Sequence, residues 1–187
     1  MTHPFRLILA SASPRRRELL TQAGLEFDVV PANIEESPKP GEVPASYVQR
    51  LALEKALAVS TLYPDATVLA ADTTVVLAGE VLNKPNDIQD AERMLRALSG
   101  CAHQVHTGIA LVHGPMVRQH VEATTVYLTA IPEDDLVHYL ATGDSLDKAG
   151  AYGIQGYAAR WVKHIEGDFF NVMGLPIAST VRLLAEF

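Results

Sequence analysis

The chain has 187 residues, 48% of them apolar, enough to bury a real core as one domain or two small lobes and too apolar for disorder. Its formal net charge of −7 argues against a nucleic-acid-binding face, and its single cysteine, Cys101, excludes an intrachain disulfide framework and any multi-cysteine zinc site. Met1 to Arg6 lacks a basic region leading into a long apolar core, and no later stretch approaches ~18 uninterrupted apolar residues, so a cytoplasmic protein without a membrane segment is expected.

Phe5, Leu7 and Leu9 alternate with Arg6, Ile8 and Ala10 in a run that predicts a first strand. Ser13 is a good N-cap and Pro14 suits a first helical position, so a helix begins there and carries Arg15, Arg16 and Arg17 in its first turn. A helix N-terminus favours anions, and three arginines there are unfavourable unless something negative sits among them. A phosphate would relieve that conflict.

Phe27 to Val30 predicts a short strand, and the Pro-rich stretch from Pro31 to Pro44 is a long loop containing Glu35 and Glu36. A helix is expected from about Pro44 to Leu62, with Val48, Leu51, Ala52, Ala58, Val59 and Leu62 along one side. Lys55 falls inside that stripe. Either its stem snorkels along apolar surface or its ammonium contacts a phosphate.

Thr67 to Ala71 predicts a compact strand ending at Asp72, Thr73 and Thr74, which puts Asp72 at a strand end, a common place for catalytic carboxylates and also for ordinary turn formers. A hairpin of residues 75–77 and 80–82 around Ala78 and Gly79 follows. Asn83, Lys84 and Pro85 then lead to a helix from near Asp87, with Ile88, Ala91, Leu95 and Leu98 on one face and Gly100 as its stop. His103 to Val112 and Met116 to Leu128 predict two long strands forming a second lobe's antiparallel sheet. His103, His106, His113 and His120 lack the spacing of a metal site. Glu133 to Thr142 predicts a helix closed by Gly143. Trp161, Val162 and Ile165 suggest a strand, and residues 176–187 a closing helix with Ile177, Val181, Leu184 and Phe187 inward.

The segment Gly143 to Gly156 is rich in glycine and polar groups and has little helical or strand period. Gly150, Gly153 and Gly156 could serve only as turn residues, yet Asp147, Lys148, Tyr152 and Gln155 supply hydrogen-bonding groups of each type, as a binding loop needs.

An anion-binding turn, lysines at 55, 84 and 148, and carboxylates at 35, 36 and 72 suit a polyphosphate substrate. Cations hold phosphoryl oxygens and stabilise developing charge, one or two carboxylates hold a divalent ion, and a remaining carboxylate activates water. Because an ordinary carboxylate is a weak base at neutral pH, metal-assisted hydrolysis is the better account. No Gly-x-x-x-x-Gly-Lys-Ser/Thr run supports a P-loop nucleotidase, and no Gly-x-Ser-x-Gly elbow supports an acyl hydrolase.

Ser11-Ala12-Ser13-Pro14-Arg15-Arg16, Ala71-Asp72-Thr73, Leu82-Asn83-Lys84-Pro85, the run from Asp147 to Gly156, and Gly174-Leu175-Pro176 closely resemble the Maf family of nucleoside triphosphate pyrophosphatases, in order and over nearly the full chain. The resemblance implies a single Maf-like domain over residues 1–187, with a two-lobed α/β fold of the Maf/inosine-triphosphatase type: a mixed sheet, helices and a central cleft. It also implies a homodimer and hydrolysis of a nucleoside triphosphate to the monophosphate and pyrophosphate with a divalent metal, magnesium or manganese. By position, Asp72 matches the family's proton acceptor, Ser13, Arg15, Arg16, Lys55 and Lys84 match phosphate contacts, and Glu36 matches an acidic position near the metal, which Asp72 would share. Arg15, Thr73 and Gln155 match the branch acting on dTTP and UTP, where a branch acting on 7-methyl-GTP has Trp, Gln and Glu. An amide such as Gln155 offers the donor and acceptor that a pyrimidine edge requires. Alternatives are a pyrophosphatase for modified nucleotides or 7-methyl-GTP, and a nucleotide-binding regulator of cell division.

Overall fold

The computed structural model describes residues 6–187. Phe5, assigned to the first strand from sequence, lies outside the described residues. The elements run β1 (Leu7–Leu9), α1 (Pro14–Gln22), β2 (Asp28–Val29), α2 (Pro44–Ser60), β3 (Thr67–Leu77), β4 (Glu80–Leu82), α3 (Ile88–Leu98), β5 (Ala102–His113), β6 (Met116–Leu128), α4 (Glu133–Ala141), β7 (Val162–Glu166), α5 (Phe169–Met173) and α6 (Ile177–Leu184). Two short 3-10 helices, Ala149–Ala151 and Tyr157–Trp161, precede β7.

The strands make a mixed sheet of order β2-β1-β3-β5-β6-β7, with β4 also on β3. β1 pairs parallel with β2 and β3, while β3 with β4 and β6 with β7 are antiparallel. The mixed α/β class expected from sequence is therefore present. β5 and β6 do not form a separate sheet of a second lobe, as the sequence suggested, but continue the one that contains β1 and β3.

The chain divides into two compact units. The first holds residues through Asp72, Thr107–Glu122 and Gly174–Phe187. Its core packs Ile8, Ala10, Val68 and Ala70 from the strands against Ala52, Ala56 and Val59 of α2, with Ala110 and Val112. Gly108 makes that packing possible: a Cβ there would lie 2.4 Å from the Val48 carbonyl oxygen of α2. The second unit holds Thr73–His106 and Ala123–Met173, around Leu95, Leu98, Val105, Val126, Tyr139 and Trp161.

Local chemistry explains most element ends. Ser13 accepts the Arg16 amide at the start of α1, Asp87 accepts the Asp90 amide at the start of α3, and the hairpin turn uses Ala78 and Gly79, both at positive φ. Several sequence expectations need correction. β3 does not stop at Ala71 but runs unbroken to Leu77, so Asp72 stands in the middle of a buried strand. α2 ends at Ser60, which leaves Leu62 69% exposed and puts Ala56 on the inner stripe. In α6, Thr180, Leu183 and Leu184 face inward and Val181 faces solvent. Trp161 closes a 3-10 helix ahead of β7, and α5 had no sequence forecast.

Gly108→Ala is expected to destabilise the protein by roughly 1–3 kcal/mol or more, since the obstacle is helix backbone and cannot swing away. Urea denaturation of the two proteins measures this, and an unchanged midpoint would refute the close approach of β5 to α2.

Candidate active site

The centre of the first unit is the Lys55 ammonium. The helical spacing of α2 carries Lys55 into the buried stripe with Val48, Leu51 and Val59, and it is 7% exposed. A buried ammonium needs acceptors, and it has two carboxylates: Asp72 Oδ1 at 2.7 Å and Glu36 Oε1 at 2.7 Å. Asp72 is as buried as the lysine, whereas the Glu36 side chain is 51% exposed.

Glu36 comes from the long loop after β2, and three tethers hold that loop to α2. Tyr47 Oη donates to the Glu36 carbonyl at 2.8 Å. Arg50 donates to Glu42 through Nε and Nη2, both at 2.6 Å, and through Nη2 to the Ser37 carbonyl at 3.1 Å. This bidentate pair holds the Glu42 carboxyl at about 2, well below its ordinary value, and raises Arg50. Sequence reading missed Tyr47, Glu42 and Arg50 as supports of the site. The partners are eight or more residues apart across an irregular loop, so no periodicity announces them.

Arg16 is oriented from two sides. Its Nε donates to the Gly174 carbonyl at 2.8 Å and its Nη1 to Ser11 Oγ at 3.2 Å, and the same Oγ accepts the Ser13 amide at 3.2 Å. Ser11 and Gly174 were part of the recognised motifs without assigned roles; each turns out to aim the guanidinium. Burial lowers the Arg16 pKa, Asp72 and Glu36 oppose that, and Arg15 adds to it. Ser13, Arg15, Arg16, Glu36, Lys55 and Asp72 thus all belong to the first unit, grouped around the start of α1 and the middle of β3.

Thr73, Lys84, Lys148 and Gln155 belong to the second unit, where a separate network arranges them. Thr74 Oγ1 donates to Asn83 Oδ1 at 2.8 Å, and the Gly150 amide donates to the Asn83 carbonyl at 3.2 Å. That links the neighbour of Thr73, the neighbour of Lys84 and the glycine-rich loop. Gly150 has φ 68°, and a Cβ would meet Val75 Cγ2 at 2.8 Å, so glycine is required there by the protein's own packing. Tyr152 is fixed by His103, with Oη 2.7 Å from Nε2, and burial pushes His103 down to about 4, leaving it neutral. Lys84 and Gln155 are exposed. Lys148 bonds to Asp144 and Asp147 of its own loop.

Lys55 bonds one oxygen of each carboxylate, which leaves Asp72 and Glu36 able to offer one hard oxygen apiece. Among the described residues no group of three or more His, Cys, Asp or Glu side chains is placed to hold a metal by itself. Two carboxylates fit an ion of the magnesium or manganese type, which keeps waters and takes its remaining ligands from substrate phosphates.

An α/β fold with a cation bonded to two carboxylates, and an arginine at a helix start that feels both of them, has groups suited to chemistry on a phosphoryl group. The comparisons narrow this. The model of the Maf-like protein family matches residues 6–187, and the chain belongs to that family. It is 52% identical to the dTTP/UTP pyrophosphatase of Koribacter versatilis (strain Ellin345), over 95% of this chain and 92% of that protein. It is 48% identical to the dTTP/UTP pyrophosphatase of Chromobacterium violaceum, over 100% of this chain and 96% of that one. The structure of a HAM1 protein from Coxiella burnetii superposes with a TM-score of 0.55 at 17% identity, covering 98% of this chain and all of the other, which shows a shared fold. Among the described residues no helix is long and apolar enough to cross a membrane.

The Glu42 to Arg50 clamp predicts a pH dependence. The folded carboxyl binds fewer protons than the unfolded one between about pH 4.5 and about 2, so its stabilisation is full above that window and is lost as pH falls through it. Stability measured by urea denaturation should therefore fall less steeply from about pH 5 to 3 in Glu42→Gln than in the wild type. Equal slopes would sink the clamp.

Proposed function

We propose that the protein is a nucleoside triphosphate pyrophosphatase that hydrolyses dTTP and UTP to the monophosphate and pyrophosphate. The observation that carries the reaction is the Lys55 ammonium shared by Asp72 and Glu36, with Arg16 aimed by Ser11 and Gly174 in the same unit. The substrate assignment is supported by relatives of that name at about half identity over nearly the whole chain.

In this reading a water oxygen forms a bond to the α-phosphorus, the bond from that phosphorus to the bridging oxygen breaks, and pyrophosphate leaves with the electron pair. The water's proton passes to Asp72 at Oδ2, the oxygen that Lys55 does not hold. Lys55 fixes the carboxylate's direction through Oδ1. Arg15, Arg16 and Ser13 contact phosphoryl oxygens at the start of α1, where helix amides and the dipole favour negative charge, and Lys84 adds an exposed cation. Glu36 would hold a divalent cation through the oxygen that Lys55 leaves, with Asp72 kept for the proton; when bound, the cation would neutralise charge on the departing pyrophosphate. Thr73 and Gln155 are the base-selecting residues, the Gln155 amide answering a ring N–H and a neighbouring carbonyl of thymine or uracil. The proposal includes the homodimer that the family resemblance implies and the cytoplasmic setting expected from the sequence pattern.

Pyrophosphate release from dTTP, UTP, CTP, GTP and 7-methyl-GTP, with magnesium or manganese, tests the reading. Release should favour dTTP and UTP, and Asp72→Asn should lower kcat by about 10²- to 10⁴-fold while nucleotide binding persists. Turnover unaffected by Asp72→Asn would refute the proton-acceptor role, and binding without release from any nucleotide would favour a nucleotide-binding regulator. Gln155→Glu should lower the UTP to CTP preference at least about tenfold, and a preserved ratio would move base selection elsewhere.

A further inference from the structure

The sequence offered Lys148 as a phosphate-contacting cation, but its surroundings assign it different work. Its Nζ donates to the Asp144 carbonyl at 2.5 Å, to Asp144 Oδ1 at 2.7 Å and to Asp147 Oδ1 at 2.7 Å, so three acceptors take the three ammonium hydrogens. The side chain is only 11% exposed. Its stem is packed under Gly153, where a Cβ would fall 2.8 Å from Lys148 Cε and 3.0 Å from Cδ. Gly153 does not have the positive φ that would itself require glycine; a larger residue there would meet the Lys148 stem, which could yield only by drawing the ammonium off its acceptors.

The other end of this knot is anchored in the core. Tyr139, fully buried against Trp161, donates from Oη to Asp144 Oδ2 at 3.3 Å, and the Gly153 backbone hydrogen-bonds the same tyrosine. Gly156 returns over the same carboxylate: a Cβ there would lie 3.2 Å from Asp144 Oδ2, and its amide donates to the Gly153 carbonyl at 3.2 Å. Gln155 stands between these two glycines in the turn. Tyr139 fixes Asp144, Asp144 fixes Lys148, and Lys148 supports the turn that presents Gln155.

We infer that Lys148 is a positioning residue for pyrimidine selection, holding the Gln155 turn from beneath, and that it does not bind the triphosphate. This rests on the base-selecting role given to Gln155 above. The lysine acts through loop geometry, so its loss should be felt by ligands with a base and ignored by a polyphosphate without one.

The test compares wild type, Lys148→Met, which keeps the stem length and removes the ammonium, Lys148→Ala, Gly153→Ala and the double Lys148→Ala/Gly153→Ala variant. Two quantities are read: the ratio of kcat/KM for UTP to that for CTP, and inhibition by inorganic tripolyphosphate. Lys148→Met is expected to lower the ratio about tenfold while the tripolyphosphate inhibition constant stays within about twofold. Gly153→Ala should lower the ratio in the wild-type background and add little once Lys148 is alanine, because the obstructing stem is gone. Weaker tripolyphosphate inhibition with an unchanged ratio would make Lys148 a phosphate ligand and overturn the inference. Strict additivity of the two alanine substitutions would overturn it too. Should the wild type release no pyrophosphate from UTP or dTTP, the proposed function itself fails. Hydrogen exchange of the Gly156 amide still decides the positioning claim in that case: faster exchange in Lys148→Met supports it, and equal exchange overturns it.

Discussion

A lysine buried on the inner face of a helix and an aspartate buried in mid-strand are each costly alone, and in this protein each makes the other tolerable. Lys55 and Asp72 meet at 2.7 Å with little solvent around either. Removing one partner of such a pair leaves an uncompensated charge in a poorly solvated place, so helix α2 and strand β3 are tied in position by electrostatics as well as by their apolar contacts. Glu36 makes the arrangement chemically asymmetric. It is a second carboxylate on the same ammonium, half-exposed and carried on a loop. Two negative groups against one positive leave an excess of negative charge, which Arg16, drawn into the same field by Asp72 and Glu36, offsets.

The supports around that centre follow one pattern, in which an irregular segment is held by side chains from a rigid element. The loop bearing Glu36 has no regular backbone hydrogen-bond ladder, and Tyr47 and Arg50 of α2 donate to its Glu36 and Ser37 carbonyls and to the Glu42 carboxylate in its place. In the second unit, Asn83 and Thr74 join the hairpin to the glycine-rich loop, and Tyr139 of α4 anchors that loop through Asp144. Groups that touch ligand can then lie on loops with little loss of definition, because the positions of those loops are set by buried partners. The glycines of residues 150–156 are small for the same reason. At 150 and 153 the space is filled by Val75 and by the Lys148 stem.

How much of this was legible depended on the range of the interaction involved. The N-cap at Ser13, the stop at Gly100, the Ala78 and Gly79 turn and the part of the α2 stripe made by Val48, Leu51, Ala52 and Val59 are consequences of neighbours within a few residues, and the structure has them where the sequence put them. The strand that carries Asp72 was misread because a buried charge followed by two threonines looks like the end of an apolar run. Its continuation depends on pairing with β4 and on Lys55, neither of which is visible locally. Leu62 and Val181 went the same way: periodicity supplied a face, but the helix ends and the packing partners chose which residues use it.

By itself the sequence determined the class of fold, the order of nearly all elements, the family and the set of residue types available for chemistry, because capping, periodicity and motif order are written in short stretches of chain. Only the tertiary structure decided which of those groups meet. It set Lys55 between Asp72 and Glu36, turned Ser11 and Gly174 into guides for Arg16, and bound Lys148 into its own loop. The physical reason is that a charge is defined by what surrounds it, and the groups that surround these come from elements separated by up to 158 positions.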